Sequence, residues 1–326
     1  PIGHTILEGR AMVNAARATG RVVQVGTHRR ISPHNVSGRD FIRAGKIGDI
    51  GMVRCFVNYG GSGPEKPLPT VEVPKELDWD MWCGPAPLRP FNGGDPRTPT
   101  VGAGNRGIHP RGFRNYLDYA NGTLGDWGIH WLDQVLWVTG EKYPKRIFST
   151  GGRPIAGPAV LSATEQTTDA PDHQLATYQF DKFSVQWEHR RFANNNTDKG
   201  ENVGCYFYGT KGIFHMGWQK GWTFYPSDAK QPTITEEPKL NAPDSQNIKE
   251  LFADFLAAIR SDGKIKPVSD IGEVHLSTNM ALLGMASLKL GRSLEWDGAK
   301  EVIVGDAAAN ALLRRDYRKG YEYPKA

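Results

Sequence analysis

Hydrophobic and polar positions in the first 25 residues predict one helix followed by one short strand. Thr5 and Glu8 have the spacing of a capping box, in which each side chain satisfies a backbone N–H at a helix start. Apolar residues then recur at helical spacing, and Gly20 is typical of a helix end. The β-branched segment Arg21–Val25 is typical of a buried strand. A helix followed by a strand is the order found at the end of a repeating βα domain.

The pattern then changes to a second helix, a long irregular segment and a series of short strands. We predict the helix over Pro33–Ala44 and a strand over Met52–Tyr59. Residues 60–106 are rich in Pro and Gly, and their tryptophans favour an ordered loop over a linker. Helical spacing returns over Gly122–Val138. Later strands are predicted over Arg146–Thr150, Gln174–Phe180, Phe183–His189, Gly204–Tyr208 and Gly212–Met216.

Short connections between these strands predict hairpins. Asp181-Lys182 joins one pair of strands, and the turn at Gly209–Gly212 joins the next. Two helices are predicted to close the domain, one with an apolar stripe over Ile248–Ile259 and one over Val274–Leu290 after a cap signal at Asp270. The fold class expected for this part is α+β with an open, mainly antiparallel sheet.

Composition excludes several classes of protein. The chain has 326 residues, 39% hydrophobic and 23% charged, which is ordinary for a globular protein. We expect no membrane span, because no apolar run approaches the roughly 18 residues required. We expect no nucleic-acid partner, because the net charge is +5 and the basic residues are scattered. Cys55, Cys83 and Cys205 lack the spacing of a disulfide framework or zinc site, and the compartment stays open between cytoplasm and periplasm.

One glycine motif does not have the context that its function requires. Gly102, Gly104 and Gly107 fit GxGxxG, which binds a pyrophosphate when a strand precedes it and a helix follows it. Here the prolines of Pro96–Pro99 precede the motif and His109-Pro110 follows it. We therefore interpret it as a glycine loop and not as a dinucleotide site.

The segment Asp118–Asp133 carries the strongest candidate for chemistry. Asp126 and His130 are four residues apart, so on a helix they share one face. A carboxylate beside an imidazole orients the ring and raises its pKa, and such a histidine can take a proton from an alcohol. The alternative is structural, with Asp126 capping a helix and His130 buried and hydrogen bonded. Spacing alone favours this alternative.

Several motifs together resemble the Gfo/Idh/MocA family, which includes glucose–fructose oxidoreductase and inositol dehydrogenase. The motifs are Asp126-x-Gly-x-His130-x-x-Asp133, Gln24-Val-Gly-Thr27, the loop Trp82–Pro90, Leu77–Asp80, His109–Arg114 and Val304–Asp306. They extend over essentially the whole chain, and their combined order is specific, whereas any one of them is weak.

The resemblance implies a two-part fold. Residues 1–30 would be the C-terminal remnant of a Rossmann-type domain, and residues 31–326 the substrate-binding, catalytic and oligomerisation domain, with a terminal segment packed back on the first. In the family, the nucleotide-binding domain ends in a Glu-Lys-Pro motif whose lysine is catalytic, and Pro1 resembles its proline. Most of the nucleotide-binding half, about a hundred residues, is therefore expected to lie outside the given sequence.

The resemblance also implies roles for individual residues. His130 would be the general acid or base, and Asp126 would be its partner or a direct ligand of the substrate. The cofactor, NAD or NADP, would lie near Gln24, Arg29, Trp82 and Arg89. The substrate would contact Asp118, Tyr119, Asp133, His189 and Arg190. For Trp82 a core position is nearly as well supported, no metal site is expected, and the given chain alone is expected not to bind the cofactor.

The function expected from the sequence is an NAD(P)-dependent oxidoreductase acting on a sugar, cyclitol or sugar derivative by hydride transfer from a carbinol carbon. A homodimer or homotetramer is expected through the open sheet face, because a large uncovered face needs burial. One alternative is an NAD-assisted glycoside-cleaving enzyme with a keto-sugar intermediate. The other is a non-catalytic carbohydrate-binding or assembly protein that lacks the cofactor half.

Overall fold

A ten-stranded sheet connects most of the chain in the computed structural model. The structure describes residues 1–60, 63–93, 107–193, 198, 200–241 and 246–324. The helices are α1 (Ile6–Ala18), α2 (Pro33–Arg43), α3 (Trp79–Cys83), α4 (Ile129–Thr139), α5 (Ile248–Arg260), α6 (Ile271–Leu290) and α7 (Ala307–Ala311). Shorter turns are the 3-10 turns His28–Arg30 and Gly112–Asn115 and the π-helical turn Leu124–Gly128.

The strands are β1 (Ile50–Asn58), β2 (Leu68–Pro69), β3 (Arg146–Gly152), β4 (Glu165–Gln166), β5 (His173–Gln179), β6 (Ser184–Arg190), β7 (Val203–Gly209), β8 (Gly212–Gly217), β9 (Trp222–Pro226), β10 (Ile234–Glu236), β11 (Leu294–Asp297) and β12 (Val302–Ile303). The large sheet has the order β10-β9-β8-β7-β1-β6-β5-β3-β11-β12. Strand β1 pairs in parallel with β6 and antiparallel with β7, and the other pairs of this sheet are antiparallel. The sheet is therefore mixed, with β1 at the junction.

Helices cover one face of this sheet. Successive residues of a strand point to opposite faces, and in β6 Val185, Trp187 and His189 are buried while the residues between them are partly exposed. The Ser287 hydroxyl of α6 accepts a hydrogen bond from the backbone of Ser149 in β3 at 2.9 Å. Helices α4 and α2 also contact the sheet, at β1 and β9 respectively. The core consequently lies between the helices and one sheet face.

The first predicted helix is confirmed, but the predicted strand after it is wrong. The Thr5 backbone N–H donates to the Glu8 carboxylate at 2.8 Å, as the capping box requires. Segment Arg21–Val25 forms only an isolated bridge, from Gln24 to Asp270. A strand needs a regular ladder with a neighbour, and only the short segment before α6 lies beside these residues. The interpretation of residues 1–30 as a Rossmann remnant stays a prediction.

Elements after residue 120 differ from the prediction at three places. The helical pattern over Gly122–Val138 divides into the π-helical turn and α4. The apolar stripe of α5 is largely exposed, with Phe252 at 60% and Ile259 at 47%. Beyond α6, where the domain was predicted to end, β11 extends the sheet by pairing with β3, and β12 and α7 follow.

A buried ion pair fastens the turn His28–Arg30 to the helices. The Arg30 guanidinium donates two hydrogen bonds of 2.8 Å to the Asp133 carboxylate of α4. The Ser277 hydroxyl of α6 donates to the same carboxylate at 2.8 Å. Arg30 is 3% exposed and Asp133 is fully buried. Because both charges are removed from water, loss of either one leaves the other uncompensated.

We therefore expect Asp133→Asn to lower the free energy of unfolding by about 3–5 kcal/mol, as for other buried pairs that lose one partner. Urea unfolding measures the change. The control is Asp181→Asn, whose pair with Lys145 is exposed on both sides and should matter little. Equal effects of the two substitutions would contradict the structural role of Asp133.

Candidate functional site

His130 lies among aromatic side chains at the start of α4. Its ring centroid is 5.5 Å from that of His28 and 5.2 Å from that of Trp218. The Trp127 ring lies 5.8 Å away. The imidazole keeps a small exposed surface, whereas its Nδ1 is buried and has no hydrogen-bond partner within the described residues. Buried polar atoms normally have a hydrogen-bond partner, so a water or ligand atom is expected to form a hydrogen bond with this nitrogen.

Arg29 is the second unusual group of the cluster. Its side chain is 1% exposed, and its guanidinium carbon lies 3.8 Å from the centre of the Trp218 ring. None of its three guanidinium nitrogens has a hydrogen-bond partner in the part of the chain that the structure describes. Burial lowers the pKa of Arg29 to about 10, and the Glu201 carboxylate partly offsets this. A buried cation without acceptors favours oxygen atoms of a ligand or of ordered water.

A cavity of about 430 Å³ lies beside the π-helical turn, and we call it the first cavity. Its polar and charged lining includes Pro1, His4, Arg114, Asn121, Asp126, Arg315 and Tyr317. The Arg114 side chain donates to the Asp126 carboxylate at 3.0 Å, and each of the two is about one third exposed. This volume falls in the range of small-molecule sites. Gly125 and Asp126 of this lining belong to the π-helical turn, which leads directly into the first residues of α4, where His130 lies.

The prediction that Asp126 raises the pKa of His130 is wrong. The pKa of His130 is not raised but lowered to about 3, first by burial and then by the neighbouring His28 and Arg29 side chains. Asp126 lies in a π-helical turn, where a four-residue spacing no longer aligns side chains on one face. It pairs with Arg114 instead. His130 is therefore neutral at pH 7 and can accept a proton.

A second cavity of about 290 Å³ adjoins the first and shares Tyr119 with it. Trp82 and Asp118 also line it. The Arg89 guanidinium donates to Asp118 at 2.6 Å and also pairs with Asp169. Three predicted site residues, Trp82, Asp118 and Tyr119, therefore line this cavity, and a fourth, Arg89, holds the Asp118 carboxylate in position.

Trp82 is both a core residue and a residue that borders a cavity. Its ring stacks on Trp79 at a centroid distance of 4.6 Å and meets His109 edge-on at 5.8 Å. At the same time it borders the second cavity. It is a packing residue with one surface open to a ligand.

Two predicted site residues lie away from both cavities. Asp133 is buried in its contacts with Arg30 and Ser277, which leave no surface for a substrate. The Gln24 amide donates to the Leu251 carbonyl of α5 at 2.8 Å. Asp133 therefore fastens elements of the fold instead of contacting substrate as expected, whereas the contact of Gln24 with a cofactor stays a prediction.

His189 and Arg190 were expected to contact the substrate together, but they point to opposite faces of β6. His189 is fully buried, and the Trp187 indole N–H donates to its Nδ1 at 3.1 Å. Its Nε2 faces the Pro171 carbonyl at 3.4 Å. Arg190 pairs with Glu188 at 2.5 Å on the other face. Neither lines the first or the second cavity.

Sequence reasoning missed two members of the His130 cluster. His28 was not predicted as a site residue, although it directly precedes Arg29. Trp218 comes from the turn after β8 and gives no local signal, because only the folded chain brings it to His130.

Three further points concern the glycine motif, groups that could bind a metal and helices that could cross a membrane. Gly102 and Gly104 of the rejected glycine motif lie outside the described residues. Within the described residues, no group of three or more His, Cys, Asp or Glu side chains could hold a metal ion. In the same residues, no helix is long and apolar enough to cross a membrane.

A mixed sheet covered on one face by helices, with a polar cavity near the start of α4, defines an α/β domain with a candidate ligand site. The family model described as oxidoreductase family, C-terminal alpha/beta domain, of Gfo/Idh/MocA proteins, matches residues 56–148 and 169–323. The matched segments make up more than half of the chain and include His130. This chain belongs to the Gfo/Idh/MocA oxidoreductase family. No curated protein matches its sequence.

Solved structures share the fold at low sequence identity. The aldose-aldose oxidoreductase from Caulobacter crescentus superposes with a TM-score of 0.60 at 16% identity, over 90% of this chain and 70% of that one. An oxidoreductase from Agrobacterium radiobacter in complex with NAD⁺, L-tartaric acid and magnesium gives 0.58 at 12% identity, over 90% and 71%. The transcriptional regulator Gal80p from Kluyveromyces lactis gives 0.58 at 16% identity, over 90% and 67%. Such identities show the fold alone.

The contacts of His189 generate a prediction about pH. Burial lowers its pKa to about 3, below the unfolded value near 6.5, so its contribution to stability is complete above pH 6.5 and is lost as pH falls from there toward 3. At pH 5 the loss from this one group is about 2 kcal/mol. His189→Asn removes the titration and should reduce the drop in unfolding free energy between pH 8 and pH 5. Denaturant unfolding at both pH values measures it, and an unchanged drop would contradict a neutral core histidine.

Proposed function

We propose that this chain forms the substrate-binding part of a nicotinamide-dependent oxidoreductase that acts on a carbinol carbon of a sugar, cyclitol or sugar derivative. The observation that carries the proposal is His130 itself, neutral and with an unpaired Nδ1, on the helix that directly follows the cavity-lining residues Gly125 and Asp126. Membership of an oxidoreductase family supports the reaction class. His130 would accept the hydroxyl proton of the substrate.

The first cavity suits a ligand with several hydroxyl groups. The Asp126 carboxylate accepts and the Arg114 guanidinium donates hydrogen bonds, and the exposed surface of both lets them exchange their mutual contact for contacts with a ligand. Tyr119, at the border of the two cavities, adds an apolar ring with a hydroxyl group. Aromatic and hydroxyl-binding groups in one cleft support a sugar-like substrate over an apolar one.

Proton transfer to His130 depends on its surroundings. Burial first, and then the neighbouring His28 and the Arg29 guanidinium, disfavour an imidazolium ion, so the free site holds the ring neutral. An oxygen atom of a ligand that approaches the unpaired Arg29 nitrogens would offset that charge and raise the pKa of His130. Ligand binding and proton acceptance would then support each other.

The nicotinamide end of NAD or NADP fits these residues better than its phosphate end. The cofactor would supply a hydride acceptor when bound, and polar residues of the first cavity such as Asn121 would border the nicotinamide ring. The described residues contain no strand that leads through a GxGxxG turn into a helix, the element that cradles a pyrophosphate.

We expect that this exact polypeptide does not bind NAD⁺ or NADP⁺ with useful affinity, because it offers no described phosphate cradle. Isothermal titration calorimetry with each dinucleotide tests this. Nicotinamide mononucleotide is the comparison ligand for these dinucleotides, since it carries the same nicotinamide ring but a single phosphate in place of the pyrophosphate. Micromolar binding of the dinucleotides would contradict the expectation and show that other residues hold the pyrophosphate.

In the longest natural form of the protein, supplied with NAD⁺ or NADP⁺ and a panel of aldoses and polyols, we expect His130→Asn to reduce turnover by about a hundredfold or more. Cofactor reduction is followed by absorbance. The matched control is His189→Asn, because both histidines have a pKa lowered to about 3 but only His130 has a buried ring nitrogen without a partner among the described residues. Near-normal turnover of the His130 variant with a lower melting temperature would contradict the catalytic role.

The NAD-assisted glycoside-cleaving reaction would use the same histidine. Release of product sugar without net cofactor reduction in the same assay would favour it. A non-catalytic role is the second candidate, because a transcriptional regulator is among the proteins that share this fold. Sugar binding to this chain that survives in the His130 variant, without any turnover, would favour that role.

A homodimer or homotetramer through the open sheet face stays a proposal. Phe148 and Ile213 lie on strands of this sheet and are 47% and 39% exposed. Apolar exposure on a broad sheet face supports pairing of two such faces. Sedimentation of the protein in solution, with a monomer as the contrary result, tests it.

A further inference from the structure

Two of the three cysteines face each other in the sheet, although they are far apart in sequence. The register of β1 and β7 places Cys55 directly opposite Cys205. Their Sγ atoms are 3.6 Å apart. Both side chains are fully buried, and both are free thiols in this structure. The sequence spacing, which argued against a disulfide framework, says nothing about this contact.

The backbone pattern at this position suits a covalent bond. In antiparallel strands, hydrogen-bonded pairs alternate with pairs that lack hydrogen bonds. The Asn58 N–H donates to the Asn202 carbonyl at 2.7 Å, so these two residues are a hydrogen-bonded pair. Three positions further along, Cys55 and Cys205 are a pair without hydrogen bonds. Cα atoms in such pairs are about 4.5 Å apart, within the range of about 4.4–6.8 Å that a disulfide spans.

The surroundings determine when such a bond can form. The neighbouring core residues Val53, Val57 and Phe207 have no exposed surface, so a reagent cannot reach the sulfur atoms in the folded state. Burial also raises the pKa of the Cys205 thiol, which suppresses the reactive thiolate. A reaction must therefore take place during folding, before the helices cover this face of the sheet.

We propose that Cys55 and Cys205 are a modification site that becomes an intrachain disulfide when the chain folds in an oxidising environment, and that the bond locks β1 to β7. The oxidant is a donor disulfide, either a small molecule or a thiol–disulfide oxidoreductase. One cysteine thiolate attacks the donor disulfide and releases one donor thiolate. The second cysteine thiolate then attacks the mixed disulfide and releases the other. Both cysteine protons pass to the two donor thiolates, and the donor is reduced to two thiols.

The position of the bond gives it a structural effect. Strand β1 lies in the middle of the sheet, paired in parallel with β6 on one side and antiparallel with β7 on the other. The two cysteines are 150 positions apart, so the bond closes a long loop in the unfolded chain. Closing a long loop restricts the unfolded state and favours the folded one.

The test is refolding of the reduced, denatured chain with oxidised and reduced glutathione, compared with refolding in dithiothreitol. We expect the glutathione sample to lose two hydrogens in mass, and to keep only Cys83 open to alkylation after denaturation. Peptide mapping should join Cys55 to Cys205. Thermal unfolding of the oxidised form should be higher by on the order of 5 °C.

The control variant is Cys83→Ala, which keeps the pair and should behave like the parent chain. Cys83 lies on α3, where its sulfur contacts the Tyr119 hydroxyl. Cys205→Ala should abolish the mass loss. Three alkylated cysteines after oxidative refolding, or a bond that involves Cys83, would overturn the proposal. A disulfide that forms without raising the melting temperature would overturn the locking of β1 to β7.

Discussion

The contact between Arg30 and Asp133 is the interaction on which the candidate site depends. A bidentate pair fixes both distance and direction, so the turn that carries Arg30 has one position against α4. His28 and Arg29 belong to the same turn, and His130 lies one helical turn before Asp133. The buried pair therefore sets the separation of the two imidazole rings.

This geometry gives the site a specific electrostatic character. A neutral histidine lies beside an arginine whose guanidinium has no acceptor among the described residues, and both surround the indole of Trp218. Asp126, an acidic residue of the first cavity, pairs with Arg114. Burial, together with the positive charge of Arg29, makes His130 a weak base in the free chain, so a ligand that brings oxygen atoms would change both the charge balance around the ring and its basicity. Ligand binding is thus part of how such a site would become active.

Membership of the Gfo/Idh/MocA family limits the function only at the level of reaction class. The same fold occurs in the aldose-aldose oxidoreductase and in a transcriptional regulator, so fold alone does not decide between catalysis and binding. The decision lies with particular side chains. His130 with its unpaired nitrogen is the feature that favours chemistry, and it is a feature of this chain's own geometry.

The sequence by itself determined the local elements, because their signals lie within a few residues. The Thr5 and Glu8 cap, the hairpin at Asp181-Lys182 and the helical stripe of α5 are set by nearest neighbours along the chain. The sequence also predicted His130 as the candidate general acid or base. What it could not determine was the partner of each side chain. Asp126 pairs with Arg114 because the backbone forms a π-helical turn at this position. Asp133 pairs with Arg30, which lies more than a hundred residues away in sequence. The opposition of Cys55 and Cys205 likewise follows from strand register, which only the folded sheet decides.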